Sequence, residues 1–273
     1  MNENINLNEE KELEEISKEI RKDIVTMIYN AKSGHPGGSL SCTDILVVLY
    51  NKIMNLDVDE DNSRIDKFIL SKGHAAPAYY STLANKGFIP KEDLNTLRKY
   101  NSYLEGHPSN KINGVDCSSG SLGQGLSIAN GLALSKKISN KNGYVYCLLG
   151  DGEMQEGQVW EALMTTNKYN LSNLIIFIDN NGLQIDGTIE VVKKITDLES
   201  KVKSFGLEVQ TIDGHNHLEI IEAIEKAKKS NKPNCIIAKT IKGKGVSFME
   251  NQVSWHGKSL TDEEYDLAMK ELE

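Results

Sequence analysis

The chain has 273 residues, a hydrophobic share of 39% and a formal net charge of −8. This length and composition suffice for one large α/β domain, and no repeat or linker interrupts residues 1–273. The acidic charge argues against nucleic acid or an anionic membrane surface as a partner. Because no apolar run could span a bilayer and the N-terminus lacks a signal-peptide pattern, the sequence predicts a cytoplasmic protein. Four cysteines without a Cys-x-x-Cys spacing indicate reduced structural thiols.

The N-terminal half contains helical and strand patterns. Apolar residues recur at helical spacing over residues 9–32, which predicts an amphipathic helix docked on the domain or on a neighbouring subunit. A second helix is expected over residues 41–51, with Asp44 in its first turn. Residues 68–70 read as a short strand that leads to a loop carrying His74. The helix expected over 122–137 is rich in glycine, so it must pack closely to form.

The second half alternates short apolar runs with helical segments. Residues 144–149 and 174–179 are typical of buried parallel strands, and one crossover helix fits between them. Further strands are expected over 207–212 and 235–240, each reached through a helix. This alternation predicts an α/β fold: a doubly wound, mostly parallel sheet with helices on both faces.

Polar residues end the first two of these central strands. Gly150-Asp151-Gly152 follows one strand, and Asn180-Asn181 follows the next. Each sequence alone is an ordinary turn, but parallel strands joined by a helix end at the same edge of the sheet. The oxygens of Asp151 and Asn181 would then form a hard site suited to Mg²⁺, with Ca²⁺ an alternative. The two glycines would let a diphosphate approach the backbone, and the following helix would offer its N–H groups.

With these motifs the chain resembles the thiamine-diphosphate enzymes, and more narrowly transketolase. The similarity extends over most of the sequence, in the order found in that family. The matching stretches are Ser33-Gly34-His35-Pro36-Gly37-Gly38, Ser71-Lys72-Gly73-His74-Ala75, Glu105-Gly106-His107-Pro108, Gly120-Ser121-Leu122-Gly123-Gln124-Gly125, residues 150–157, residues 179–187 and Trp255-His256-Gly257.

The resemblance implies roles for four histidines beside glycine in loops. His35, His74 and His107 match histidines that line the substrate channel and hydrogen-bond the donor ketose. His256 matches one that contacts the cofactor diphosphate or the substrate and assists proton transfer. Proton transfer at neutral pH needs a pKa near 7. No His-x-x-x-His pair occurs among the four, so zinc is not expected.

The resemblance also implies a metal and cofactor set. The carbonyl of Leu183 would join Asp151 and Asn181 as a third metal ligand. Ile185 would lie against the thiazolium ring, and Glu156, at the start of the crossover helix, would lie at a subunit interface. The cofactor contacts implied are His74, Gly120, Leu122, Gly150, Asp151, Gly152, Glu156, Asn181, Ile185 and His256.

Two other segments that contain lysine or histidine are interpreted as turns. The run from Lys242 to Gly245 lacks the Walker spacing, so a solvated basic turn is favoured, although its proximity to His256 leaves a role in lining the site open. His215 and His217 match no motif and are treated as a turn before a helix from Leu218.

The implied reaction moves a two-carbon ketol unit from a ketose phosphate to an aldose phosphate. Transketolases also need a pyrimidine-binding domain with an activating glutamate, which this sequence does not match. The chain is therefore either a fragment or the N-terminal subunit of a split transketolase, with a separate C-terminal partner and a dimer of heterodimers expected. The alternatives are a specialised ketol transferase, a 2-oxo-acid dehydrogenase α-chain, a deoxyxylulose-phosphate synthase relative, or a non-catalytic module that retains the fold.

Overall fold

The computed structural model describes residues 7–273; residues 1–6, on which part of the signal-peptide expectation rests, lie outside the described residues. The helices are α1 Leu7–Ala31, α2 Pro36–Ser41, α3 Thr43–Val48, α4 Ala76–Asn85, α5 Gly125–Ile138, α6 Gly157–Lys168, α7 Ile189–Val192, α8 Leu198–Ser204, α9 His217–Lys229 and α10 Asp262–Glu271. The strands are β1 Lys67–Leu70, β2 Val145–Gly150, β3 Leu174–Asn180, β4 Leu183–Gln184, β5 Gly187–Thr188, β6 Glu208–Asp213 and β7 Asn234–Lys239.

Five strands form one parallel sheet in the order β1-β2-β3-β7-β6. The register pairs Gly150 with Asp179 and Asn180 with Lys239, so β2, β3 and β7 end at nearly the same level. Because all five strands are parallel, their carboxyl ends share one edge of the sheet. The predicted doubly wound parallel sheet is confirmed.

Helices cover both faces of this sheet, and the strand side chains alternate between two cores. Tyr146 and Leu148 of β2 point into the core formed with α1, α3, α4 and α9. Cys147 and Leu149 point into the opposite core, formed with α5, α6 and α8. Burial on both faces explains why the central strands are apolar without the alternation of a half-exposed strand.

Helix α1 docks on its own domain. Its apolar stripe, which includes Ile20, Ile24 and Ile28, is fully buried against α3, α4 and neighbouring elements. The sequence left open whether this stripe meets the domain or a neighbouring subunit, and the structure places it on the domain.

Two local features differ from the expected elements. The helix expected over 41–51 is interrupted at Cys42, and after α3 it continues as a π-helical turn, Leu49–Ile53. The crossover helix α6, by contrast, begins at Gly157, directly after Glu156, as expected, and a 3₁₀ turn, Gly152–Gln155, separates it from β2. The hairpin of β4 and β5 was not predicted, since two-residue strands are too short to show a period.

The cysteines are free thiols, as the sequence indicated. Cys42, Cys147 and Cys235 are buried, and Cys117 is partly buried. Among the helices of residues 7–273, none is both long and apolar enough to cross a bilayer.

Candidate active site

A cavity of about 370 Å³ opens at the carboxyl ends of β2 and β3. Every predicted site residue except His107 lines it. The lining residues are His35, Gly38, Lys72, His74, Gly120, Leu122, Gly150, Asp151, Gly152, Glu153, Gln155, Glu156, Asn181, Leu183, Gln184, Ile185, Asp186, Lys242 and His256. His107 lies next to the lining residue Gly120, because a Cβ added to Gly120 would come within 3.3 Å of the His107 Cγ.

Asp151 connects the two strand ends. Its Oδ1 accepts a hydrogen bond from the Gly152 amide (2.7 Å), and its Oδ2 accepts one from the Gly182 amide, 2.6 Å away, just beyond β3. The side chain is buried. Burial, followed by the charge of Asp179, raises the pKa of Asp151 to about 6. A bound cation would favour the ionised form of this carboxylate.

The other two predicted metal ligands stand beside Asp151 on the cavity wall. The Asn181 Oδ1 accepts a hydrogen bond from the Leu183 amide (3.1 Å), and the Leu183 carbonyl accepts one from Lys242 (3.3 Å). Within the described residues, no group of three or more His, Cys, Asp or Glu side chains could hold a metal. The oxygens of Asp151, Asn181 and Leu183 nevertheless fit a hard divalent cation, because one is a buried carboxylate and two are neutral amide oxygens.

A buried ion pair borders the cavity through its lysine. Lys72 follows β1, donates to Asp179 of β3, and also donates to the Gly38 carbonyl at 2.8 Å. Asp179 further accepts hydrogen bonds from Ser41 (2.6 Å) and from Thr240. Burial alone would raise the pKa of Asp179, but Lys72 and these donors lower it, so the carboxylate stays ionised.

Glu153 accepts hydrogen bonds from three loops of the site. Its buried carboxylate accepts hydrogen bonds from the amides of Gly123 (2.9 Å) and Gly150 (3.0 Å) and from the Ser71 hydroxyl. Three segments distant in sequence therefore share one acceptor, and burial raises its pKa. Glu156 differs from it: this residue is exposed at the cavity rim and occupies the N-cap position of α6 without a side-chain capping bond.

Three histidines form a cluster at the cavity. The ring centroids of His35, His74 and His256 lie 5.3–5.6 Å from one another. Burial, followed by nearby cations, lowers the pKa of His35 to about 4 and that of His256 to about 3. The pKa of His74 is also well below its usual value, again mainly through burial.

Burial and adjacent cations disfavour the charged form of these three imidazoles, so their pKa values lie below the range near 7 that proton transfer at neutral pH needs. Neutral imidazoles can still donate and accept hydrogen bonds. The buried Nδ1 of His35 has no hydrogen-bond partner among the described residues.

The interpretation of Lys242 as part of a solvated basic turn is wrong. Its side chain is buried, its Nζ lies 2.8 Å from the His256 Nδ1, and it lines the cavity. Burial, followed by repulsion from Lys72, lowers its pKa to about 8. An anion in the cavity would stabilise the charged form of Lys242.

Sequence reasoning gave no individual role to Lys72, Glu153, Asp179 or Lys242. All four either end or follow a strand of the parallel sheet, and that position is the signal that could have found them. The simple turn assigned to His215 and His217 also needs correction. Helix α9 begins at His217, and both imidazoles contact the buried Asp44.

A parallel sheet with a cavity at the carboxyl ends of its strands, lined by charged and apolar side chains, defines an α/β domain of the cofactor-binding kind. The family model for the transketolase, thiamine diphosphate binding domain, matches residues 13–272. This chain therefore belongs to the transketolase family and carries its thiamine diphosphate binding domain.

Two similar relatives are themselves subunits. An apulose-4-phosphate transketolase subunit of Phocaeicola vulgatus is 40% identical over 262 residues, which are 95% of this chain and 93% of that protein. The 6-deoxy-6-sulfo-D-fructose transketolase subunit of a Clostridium species is 42% identical, covering 93% of this chain and 94% of that protein.

Longer relatives match only in part. The chain is 38% identical to human transketolase over 95% of its own length but spans 42% of that protein. The crystal structure of the Campylobacter jejuni transketolase superposes with a TM-score of 0.90 at 34% identity, covering 96% of this chain and 43% of that one.

Replacing Lys72 with methionine should strongly destabilise the fold, because Asp179 would remain buried without its cationic partner. We expect Lys72→Met to lower the free energy of unfolding by about 3–5 kcal/mol in urea denaturation. The matched control, Lys270→Met on the exposed side of α10, should change it by less than about 0.5 kcal/mol. Equal unfolding midpoints for the two variants would contradict the structural role of the ion pair.

The raised pKa of Asp151 predicts a pH-dependent stability in buffer with a chelator. Its folded pKa of about 6 lies above the usual value of 3.8, so ionising it costs more in the folded chain, and stability falls as pH rises through this range. The stability of Asp151→Asn relative to the wild type should therefore rise by about 1–2 kcal/mol from about pH 5 to about pH 7.5. Urea titrations at both pH values measure this difference, and a constant difference would refute it.

Proposed function

We propose that this chain is the N-terminal subunit of a split transketolase. It would transfer a two-carbon ketol unit from a ketose phosphate to an aldose phosphate, together with a separate pyrimidine-binding C-terminal subunit. The observation that carries the proposal is the contrast in coverage: the chain matches 93% of a relative named as a subunit, but 42% of human transketolase.

The cofactor would lie across the carboxyl ends of β2 and β3. Asp151, Asn181 and the Leu183 carbonyl would hold Mg²⁺, or Ca²⁺ in its place, against the diphosphate. Lys242 would supply a buried positive charge to the same anion. The surroundings of Gly150 support this arrangement. A Cβ built on Gly150 would stand 4.0 Å from its nearest neighbours, so the space beside this backbone is open to a diphosphate.

Other cavity residues would orient the remainder of the cofactor. The Gly120 and Leu122 backbone would approach the aminopyrimidine, and Ile185, which is 65% exposed, has a free apolar surface for the thiazolium ring. His74 and Glu156 would complete the set, with Glu156 at the rim, where a second subunit could reach it. When bound, thiamine diphosphate supplies the nucleophilic carbon and the electron sink that cleavage of a carbon–carbon bond requires.

The histidines would bind the sugar. His35, His74 and His256 are neutral in this chain, so they can donate to or accept from hydroxyl groups without a competing charge. His107, next to Gly120, would extend this set along the substrate channel. An anionic cofactor would raise the pKa of His256 and Lys242, bringing His256 closer to the range needed for proton transfer.

This chain would form one side of the active site, and the partner chain would form the other side. It would bring the glutamate that activates the aminopyrimidine and most of the groups that bind the sugar phosphate. We propose a dimer of heterodimers in the cytoplasm, serving pentose phosphate metabolism, with neither nucleic acid nor membrane as a partner.

The names of the relatives differ in the sugar substrate. Relatives named for apulose 4-phosphate and for 6-deoxy-6-sulfo-D-fructose share the family and the chain length. A specialised ketol transferase is therefore the second candidate. A 2-oxo-acid dehydrogenase chain or a non-catalytic module is less well supported, since the histidine cluster and the Asp151–Asn181 strand ends are both retained.

The split-enzyme proposal predicts that activity requires two chains. Purifying the native complex and identifying the co-eluting chain supplies the partner. Ketol transfer from xylulose 5-phosphate to ribose 5-phosphate, and then from sulfofructose or apulose substrates, should be negligible for either chain alone and appear on mixing. Full activity of this chain alone would overturn the proposal, and activity only with the specialised sugars would favour the second candidate.

The metal site predicts dependence on a divalent cation. EDTA should abolish binding of thiamine diphosphate by the reconstituted complex, and Mg²⁺ should restore it. Asn181→Ala should weaken this binding by more than about tenfold, because a ligand is lost, as judged by calorimetry at fixed Mg²⁺. Asn231→Ala, an exposed asparagine far along the chain, is the control and should bind like the wild type. Unaltered affinity in Asn181→Ala would refute the ligand assignment.

A further inference from the structure

A buried polar network lies on the opposite side of β7 from the cavity. Asp44 of α3 accepts two hydrogen bonds from the Arg21 guanidinium, at 3.0 and 2.6 Å. It also lies 2.7 Å from the His215 Nδ1 and 3.4 Å from the His217 Nε2. Burial would raise the pKa of Asp44, but Arg21 and the two histidines hold it well below the usual range, so Asp44 is a carboxylate.

The carboxylate fixes the tautomer of His215. Since Asp44 can only accept, the His215 Nδ1 carries the proton and donates it. The opposite nitrogen, Nε2, accepts a hydrogen bond from the Ile241 amide at 2.8 Å. An imidazole with both nitrogens engaged, one as donor and one as acceptor, is held in a single orientation.

Ile241 immediately precedes Lys242, whose side chain enters the cavity. Two backbone hydrogen bonds hold the far side of this loop: the Asn251 amide donates to the Lys242 carbonyl (2.9 Å), and the Gly243 amide donates to the Gly37 carbonyl (3.0 Å). The near side is held by His215. The Lys242 side chain then crosses Gly37, where an added Cβ would come within 2.9 Å of the Lys242 Cγ.

The turn that carries His215 is itself rigidly seated. The Gly214 amide donates to the Lys239 carbonyl at 2.7 Å, and a Cβ on Gly214 would come within 2.9 Å of the Ala238 Cβ. The imidazole therefore has little room to move, and its orientation determines the position of the Ile241 amide.

We propose that His215, oriented by Asp44, is a positioning residue that sets Lys242 and its neighbour His256 against the cofactor diphosphate. His215 touches neither cofactor nor substrate; it acts through the Ile241 amide. This inference rests on the proposed cofactor site, and it adds a determinant of that site located outside the cavity.

Two substitutions separate the two hydrogen bonds of His215. The amide of glutamine reaches the position of Nε2, so His215→Gln retains an acceptor for the Ile241 amide and loses the bond to Asp44. The amide of asparagine reaches only the position of Nδ1, so His215→Asn retains the bond to Asp44 and leaves the Ile241 amide without an acceptor. His217→Asn is the matched control, because His217 contacts Asp44 and Ser17 but not Ile241.

The first measurement needs no cofactor. In the ¹⁵N-labelled full chain, a scalar coupling across the hydrogen bond between the Ile241 nitrogen and the His215 Nε2 should be visible. Exchange of the Ile241 amide with solvent should be slow in the wild type, His215→Gln and His217→Asn, and fast in His215→Asn. The absence of this coupling, or slow exchange in His215→Asn, would overturn the inference regardless of the function of the chain.

The second measurement uses the complex reconstituted with the partner chain. Calorimetry with thiamine diphosphate and Mg²⁺ should show affinity about tenfold to a hundredfold weaker in His215→Asn, and close to wild type in His215→Gln and His217→Asn. Equal losses in His215→Gln and His215→Asn, or equal affinity in all variants, would overturn the positioning role. A wild-type complex that binds no cofactor would instead refute the proposed function, while the amide measurement would still decide whether His215 holds the loop.

Discussion

The site depends on the ion pair between Lys72 and Asp179. It joins the end of β1 to the end of β3, and its partners Gly38, Ser41 and Thr240 extend it to α2 and to the end of β7. A buried pair of this kind adds little net stability compared with apolar packing, but removing one partner is costly. Its effect is to fix the relative positions of segments that all border the cavity.

Around this pair the chain buries three further ionisable side chains. Asp151, Glu153 and Lys242 are each buried at the cavity, and burial shifts the pKa of each towards the neutral form. Such a site is destabilising while it holds only its own groups, and it becomes favourable when a cation and an anionic ligand compensate the charges. The expected ligands, a divalent cation and a diphosphate, have these charges.

The network of Asp44 and His215 lies outside the cavity and holds a loop that lines it. A carboxylate selects one imidazole tautomer, the imidazole holds one backbone amide, and the amide precedes the lysine that enters the site. The geometry of the cavity wall is thus set from both sides of β7. The rim, by contrast, leaves Ile185 and Glu156 exposed, which is compatible with the proposed contact with a second chain.

The sequence by itself determined the parallel sheet, the alternation of strands and helices, and the placement of Asp151 and Asn181 at neighbouring strand ends. These follow from local patterns, since apolar runs, glycines and turn residues act over a few positions. Only the tertiary structure decided that Lys242 is buried rather than solvated, that the three clustered histidines of the cavity have lowered pKa values, and that His215 bonds to Asp44, which is 171 positions away along the chain. Burial and pKa values depend on neighbours brought together from distant segments, and no local pattern encodes those neighbours.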